Sequence, residues 1–265
     1  MNRRLLLLFL LLSIYSHSYA QRLLKNIASS DASSNVNGNV VDLANYLIKG
    51  DTLFFIAQDT SYTNYEYKNI WFTNGTTANT KKVTNGDQQT DHYYSLLANY
   101  KGKAYYMDFG DSNLYATNGS AITLVKAFGN STIQKASVID GWLYVFVSNN
   151  TNNVLELWKT DGTTLNTSKV TDIYTGSHHF IFHNKNFLNA GNKIYFSFTN
   201  DTFGYEPWVT DGTAGGTKII KDIKAGPGSS NPVSFEKVGN TVFFFAASPI
   251  YQPKLWKTDG TEAGT

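Results

Sequence analysis

The chain has no cysteine, only two methionines and five prolines, and just 16% charged residues in a length of 265. Without cysteine there is no disulfide, no thiolate nucleophile and no zinc–thiolate site. The little charge present is also balanced. Arg3 and Arg4 supply two of the 22 basic residues, so the chain beyond Ala20 sets 20 Lys+Arg against 20 Asp+Glu. A neutral chain with no basic run offers no electrostatic footprint for nucleic acid and none for an anionic membrane surface. Long apolar runs are missing too, apart from Leu5–Ile14. That run covers only about half of the roughly 20 residues a bilayer-spanning helix needs. Preceded by Arg3 and Arg4 and followed by Ser18-Tyr19-Ala20, it reads as a secretory signal peptide over residues 1–20, cleaved after Ala20. The expectation is an exported chain, secreted or at the cell surface, with no membrane span in its mature part. Held by no disulfide, it depends on its core and its backbone ladders.

What the chain does have is aromatic residues and a repeat. Aromatics make up 15%, with 17 Tyr and 17 Phe, a composition that favours β structure. The phrase Thr-Asp-Gly-Thr occurs at Thr160–Thr163, Thr210–Thr213 and Thr258–Thr261, with looser copies at Thr73-Asn74-Gly75-Thr76 and Thr117-Asn118-Gly119-Ser120. Its glycines are 44, 43, 50 and 48 residues apart, a period that signals a repeat architecture. The unit Asn186–Ile223 reads as four short strands. Phe187–Ala190 leads through Gly191-Asn192 into Lys193–Phe198; Thr199–Tyr205 is a longer loop; Glu206–Thr210 and Lys218–Ile223 flank the Asp211-Gly212 turn. Asn or Asp before Gly suits a type I′ hairpin, so Asn74-Gly75, Asn118-Gly119, Asp161-Gly162, Asp211-Gly212 and Asp259-Gly260 are read as turns between strands three and four. This turn chemistry accounts for the aspartates without a ligand role. The aromatic before each turn (Trp71, Tyr115, Trp158, Trp208, Trp256) is read as packing between sheets.

Units of about 44–86, 93–128, 134–173, 186–223 and 232–265 predict an all-β fold, a β-propeller of about five four-stranded antiparallel blades over residues 21–265. An open stack of meanders is the second architecture. Arg22-Leu23-Leu24-Lys25-Asn26-Ile27 resembles the fourth strand Lys218–Ile223, and Ser29–Asn35 resembles Gly226–Asn231. Residues 22–27 are therefore expected to complete the last blade. Two readings stay open, a five-blade circle closed by that strand and a piece of a longer array.

Three stretches carry a family resemblance: Glu156–Thr163, Glu206–Thr217 and Leu255–Thr265. They resemble the ELWxxDGTxxGT repeat family, and the two earlier units are degraded copies. The resemblance implies a long exported bacterial repeat protein, often with a C-terminal sorting domain for type IX secretion, which this chain does not show. It implies no catalytic residues.

Loops between strands two and three are expected to share a face with the blade-to-blade connections, opposite the Asp-Gly turns. They are irregular, as loops that carry function are. Aromatic and His residues there are the candidate binding set: Tyr62, Tyr65, Tyr67, His92, His178, His179, Phe203, Tyr205 and Tyr251. Flat rings over polar loops suit a glycan or a surface protein as partner. The set of His178, His179 and His183 does not read as a metal site, because consecutive strand residues point apart and no HExxH motif supports it. Asp108–Asn113 has calcium-like oxygen spacing without the EF-hand pattern. Gly212–Thr217 lacks the phosphate-binding lysine of a P-loop. Nothing calls for a cofactor. The expected function is a non-catalytic binding or adhesion module. The alternatives are a polysaccharide-active hydrolase or lyase using a pair from Asp91, Asp108, Asp201 and Glu206, and an architectural spacer in a long surface protein.

Overall fold

A computed structural model describes residues 41–58, 68–84, 94–175, 186–200, 202–247 and 252–265. The described residues are almost entirely strand and turn. Sheet one holds β1 (Val41–Lys49), β2 (Thr52–Gln58), β3 (Lys68–Thr73) and β4 (Lys81–Lys82). Sheet two holds β5 (Tyr94–Tyr100), β6 (Lys103–Asp108), β7 (Asn113–Thr117) and β8 (Ile122–Ala127). Sheet three holds β9 (Ser131–Ile139), β10 (Trp142–Asn149), β11 (Val154–Thr160) and β12 (Ser168–Thr175). Sheet four holds β13 (Phe187–Asn189), β14 (Ile194–Asn200), β15 (Gly204–Thr210) and β16 (Lys218–Ile219). Sheet five has three strands, β17 (Val233–Val238), β18 (Thr241–Ala247) and β19 (Pro253–Thr258). In every one of the five sheets the strands lie in chain order, as meanders require. Residues 22–27, expected as a further strand, lie outside the described residues, as does the leader.

The chain divides into two compact units. One takes residues up to Gly110 with Thr117–Ile122; the other takes Asp111–Ala116 with Thr123–Thr265. In the second unit the sheets stack face to face. Tyr144, Phe146, Leu155 and Leu157 of sheet three meet Ile194, Phe196, Phe198 and Trp208 of sheet four. Tyr195 and Val209 on the other side of sheet four meet Phe235, Val242, Phe244 and Ala246 of sheet five. This explains why β14 is buried at nearly every position: sheets three and five cover its two faces, so the polar/apolar alternation of a half-exposed strand has no use. Trp208 lies in the core shared by sheets three and four, which bears out its reading as packing between sheets; within sheet four it stacks on Phe196 at 6.4 Å and meets Phe198 edge-on at 5.5 Å. Each such ring pair adds about 0.5–1.5 kcal/mol beyond the area it buries.

The recurrent phrase is not a two-residue hairpin. A type I′ turn needs positive φ at both central residues. Here φ is positive only at the glycine (97° at Gly162, 86° at Gly212, 92° at Gly260), and the preceding Asp is not in the left-handed region. The strands are joined instead by a longer loop built from side-chain hydrogen bonds. In sheet four, Thr210 Oγ1 accepts from the Gly212 N–H at 3.0 Å. Asp211 Oδ1 accepts from both the N–H and the hydroxyl of Thr213, at 2.9 and 2.7 Å. Thr217 Oγ1 donates its one proton to the Thr213 carbonyl at 2.7 Å. The 2.7 Å contact between the Thr210 and Thr217 hydroxyls must therefore run from Thr210 to Thr217. The result is a directed chain, Gly212 N–H to Thr210 to Thr217 to the Thr213 carbonyl, in which each bond polarises the next. The same hydroxyl pair recurs at Thr73 and Thr80, Thr160 and Thr167, and Thr258 and Thr265. A glycine four residues after that of the phrase has its own reason: a Cβ on Gly216 would collide with the Asp211 carboxylate, and one on Gly264 with that of Asp259.

The first glycine also serves the stacking. A Cβ on Gly212 would run into the Tyr144 ring of sheet three, and one on Gly260 into the Tyr195 hydroxyl of sheet four at 2.9 Å. In the first unit a Cβ on Gly119 would likewise stand 2.6 Å from the Phe72 ring. A second tie repeats at the end of the first strand. Asn189 Nδ2 donates to the Val138 carbonyl at 2.8 Å, and Lys237 Nζ to the Ala190 carbonyl at 2.7 Å. In the first unit Asn99 Nδ2 donates to the Ile48 carbonyl.

Two outcomes are expected. Thr217→Val removes a donor and an acceptor and leaves the Thr210 hydroxyl without its acceptor, so it should cost about 1–3 kcal/mol in urea unfolding. Asp211 and Asp259 are held below the usual carboxylate range, first by the hydroxyls of Thr213 and Thr261. A carboxyl whose pKa is depressed by folding stabilises the fold above its unfolded pKa and ceases to as pH falls. Stability should therefore decline below about pH 4, and Asp211→Asn/Asp259→Asn should flatten that decline. Asn118 already accepts from the Ser120 N–H in the aspartate's place at 2.9 Å, which shows that the amide fits.

Candidate functional site

In the second unit three pieces of backbone converge at the end of the sheets away from the Thr-Asp-Gly-Thr loops. They are the β14–β15 connection, the 220–232 connection into sheet five, and the end of β18. Ser230 and Asn231 donate their N–H groups to the Tyr205 carbonyl at 2.9 and 3.1 Å, and the Ala247 N–H donates to the Ser230 carbonyl at 2.6 Å. In this unit the β14–β15 connection and the connection into sheet five thus share one end of the sheets. Its loops are tightly fixed. Asn200 Oδ1 accepts from the N–H groups of Thr202 and Phe203 at 3.0 and 2.7 Å. Gly204 has φ +61°, and a Cβ there would sit 2.6 Å from the Gly228 carbonyl oxygen, so only glycine lets the two connections close on each other. The Tyr205 N–H donates to Ser229 Oγ at 3.0 Å.

Glu206 is the tie beneath this face. It is fully buried, and its carboxylate is held by hydrogen bonds from main chain and one serine. Its Oε1 accepts from the Ser230 and Lys224 N–H groups at 3.0 and 3.3 Å. Its Oε2 accepts from the Ser230 hydroxyl at 2.6 Å and the Ile223 N–H at 3.0 Å. Burial pushes its pKa up, and these four donors pull it partly back. The residue that the sequence offers as a catalytic carboxylate is occupied in holding residues 223–230 to β15.

The equivalent Glu156 in sheet three is buried as well, but it bonds differently. It accepts from Trp158 Nε1 at 2.7 Å and lies 3.5 Å from Lys169 Nζ. Asp108 accepts from the Gly110 N–H at 3.0 Å. Asp111 accepts from the Asn113 N–H at 2.9 Å and the Tyr115 hydroxyl at 2.6 Å. The calcium-like spacing of 108–113 is thus expressed as loop hydrogen bonds. Among the described residues no group of three His, Asp or Glu is placed to hold a metal ion. Among them, too, no helix is long and apolar enough to cross a membrane.

Of the candidate binding residues, Phe203 and Tyr205 are brought together on the face just described. Phe203 is half-buried, and Tyr205 is 38% exposed. Tyr205, expected in a loop, is instead the second residue of β15, because β14 and β15 extend the ladder to Asn200↔Gly204. Tyr62, Tyr65, Tyr67, His92, His178, His179 and Tyr251 lie outside the described residues, as do Asp91, His183 and Asp201. Sequence reasoning missed Ser229 and Ser230, which lock the face. Their signal was the Ser-Ser-Asn shared by Ser33–Asn35 and Ser229–Asn231.

No protein-family model and no curated protein matches the chain. Solved structures do. The chain is similar to puromycin hydrolase at TM-score 0.56 and 12% identity, over 82% of this chain and 36% of that one. A mutant form of puromycin hydrolase complexed with PGG gives TM-score 0.55 at 12% identity, over 81% and 35%. The chain therefore spans about a third of the length of these proteins. At such identity the likeness speaks for the fold alone, and the fold is a β-propeller whose blades are the antiparallel sheets described above.

Glu206→Ala strips an acceptor from three backbone N–H groups and a hydroxyl, and should destabilise the chain by about 3 kcal/mol or more. Glu206→Gln should cost less but still destabilise, since its amide N–H groups would face donors. Chemical denaturation measures both, and a variant as stable as wild type would contradict the structural role of Glu206.

Proposed function

We propose that this chain is an exported β-propeller module that binds glycan or protein at the cell surface, through the face that carries Phe203 and Tyr205. The observation that supports this most is the exposed Tyr205 ring on backbone held by hydrogen bonds on both sides, from its own N–H to Ser229 and from Ser230 and Asn231 to its carbonyl. A ring presented on a fixed backbone loses little conformational entropy on binding, which is what a recognition platform needs. Phe203, two residues before it in the chain, has its backbone N–H held by Asn200 Oδ1 and is half-buried. The two described carboxylates singled out as catalytic candidates, Asp108 and Glu206, are engaged by backbone N–H groups. Residues 1–20 support export by their sequence pattern.

Tyr205→Ala should weaken retention on a glycan array or on intact bacterial surfaces by about tenfold, the loss expected for an exposed aromatic anchor. Its unfolding midpoint should stay near wild type, because the ring is outside the core. The secreted chain should begin at Gln21 on N-terminal sequencing. Retention unchanged by Tyr205→Ala would remove this face from consideration, and a chain that binds neither glycan nor surface protein would overturn the reading.

A further inference from the structure

The face that carries Tyr205, between sheets four and five, can be sorted into groups already bonded and groups still open. Its main chain is bonded. The Tyr205 N–H goes to Ser229 Oγ, and the Tyr205 carbonyl takes the N–H groups of Ser230 and Asn231. The Ser230 N–H is shared with Glu206 Oε1, and the Ser230 carbonyl takes the Ala247 N–H. Tyr205 and Ser230 therefore offer an extended peptide no ladder to join as an added strand.

The charged side chains of the connection are turned to the protein itself. Glu206 is closed off by four donors, and Asp222 Oδ2 accepts from the Gly226 N–H at 2.9 Å. Lys224, whose stem lies along Gly228, has a partner of its own.

The open groups are neutral. Ser229 Oγ accepts from the Tyr205 N–H, which leaves its hydroxyl proton to donate. Asn231 is exposed, and its side-chain amide bonds to none of the described residues. Asn231 is also held in an unusual backbone conformation, with φ +49°. Asparagine enters that left-handed region more readily than most residues, but still at a cost. The conformation accompanies the bond from its N–H to the Tyr205 carbonyl at 3.1 Å. The exposed amide and the exposed ring are thus rooted on two residues joined by a main-chain hydrogen bond.

Resting on the proposal that this face is the recognition surface, we infer that it takes an uncharged sugar of a glycan, laid on the Tyr205 ring, with two adjacent hydroxyls paired to the Asn231 amide. A primary amide presents a donor and an acceptor side by side, and neighbouring sugar hydroxyls present an acceptor and a donor in return. The C–H face of the sugar is apolar and lies on the aromatic ring. The Ser229 hydroxyl donates to a further oxygen. The open groups include no charge, so nothing on this face repays the desolvation of an acidic sugar.

The purified chain is tested for retention on immobilised neutral hexose polysaccharides, on uronate-bearing and sulfated polysaccharides, and on a peptide array. Retention is expected on a neutral polysaccharide, unchanged when salt is raised about tenfold. It should be lost when periodate has cleaved the vicinal hydroxyls of that polysaccharide. Asn231→Gly removes the amide and keeps the backbone, because glycine takes a positive φ without strain. Its unfolding midpoint should match wild type, while retention falls by about fivefold or more. Retention confined to acidic polysaccharides or to peptides would overturn the neutral sugar and leave the face as a recognition surface. Retention on a neutral polysaccharide that neither Asn231→Gly nor periodate weakens would overturn the pairing of amide and hydroxyls. No retention on any of these probes would overturn both the sugar and the recognition surface.

Discussion

Tyr144 lies across Gly212 and Tyr195 across Gly260, and these contacts set how one sheet meets the next. A sheet face by itself is apolar but featureless, and two such faces can slide against each other by a residue or more. A bulky ring in a slot that exists only because glycine lacks a side chain removes that freedom. The slot has a fixed position because the turn around it is fixed, by the hydroxyl chain that joins Thr210 to Thr217 and Thr258 to Thr265. Local hydrogen bonds therefore determine a long-range register. The interdigitation of Phe196, Phe198 and Trp208 with Phe146 and Leu157 follows from it.

The chain handles its buried polar groups in a related way. Having no disulfide, it ties connections to strands with carboxylates and hydroxyls. Glu206 gathers four donors from residues 223–230, and the Tyr205 carbonyl gathers two backbone N–H groups from the same connection. A buried carboxylate is tolerable only when its lone pairs are filled, and here they are filled by main chain and by one serine. The outcome is a rigid loop face above a rigid sheet. That rigidity makes an exposed ring at Tyr205 usable for recognition.

Much of the architecture was legible in the sequence because it is periodic. The spacing of the glycines, the apolar second strands and the tryptophans gave strands, sheets and their order. The turn type was not legible. Asp-Gly suggests a two-residue hairpin, but the bonding partners of that Asp lie further along, and Thr217 matters as much as Gly212. Nor did the sequence separate Glu156 from Glu206. Both precede a tryptophan by two residues, yet one binds the indole N–H and the other binds a backbone loop, leaving the Trp208 indole N–H without a partner. Such choices depend on whether a neighbouring connection comes close enough, and no short pattern encodes that. The functional face was half visible: Phe203 and Tyr205 stood out as aromatics, while the serines that fix them looked like ordinary loop.

The tie at the end of the first strand has a bearing on how such a chain changes over generations. Asn99, Asn189 and Lys237 each reach back to a carbonyl at the end of the preceding sheet's first strand. A seam written from matching positions in three of the sheets does not depend on which two of them it joins. Gain or loss of one whole period leaves matching faces at the scar, whereas an insertion of a few residues inside a period breaks a seam. Recombination can therefore lengthen or shorten this kind of gene in units of a sheet, and the loops at one end are left free to diverge.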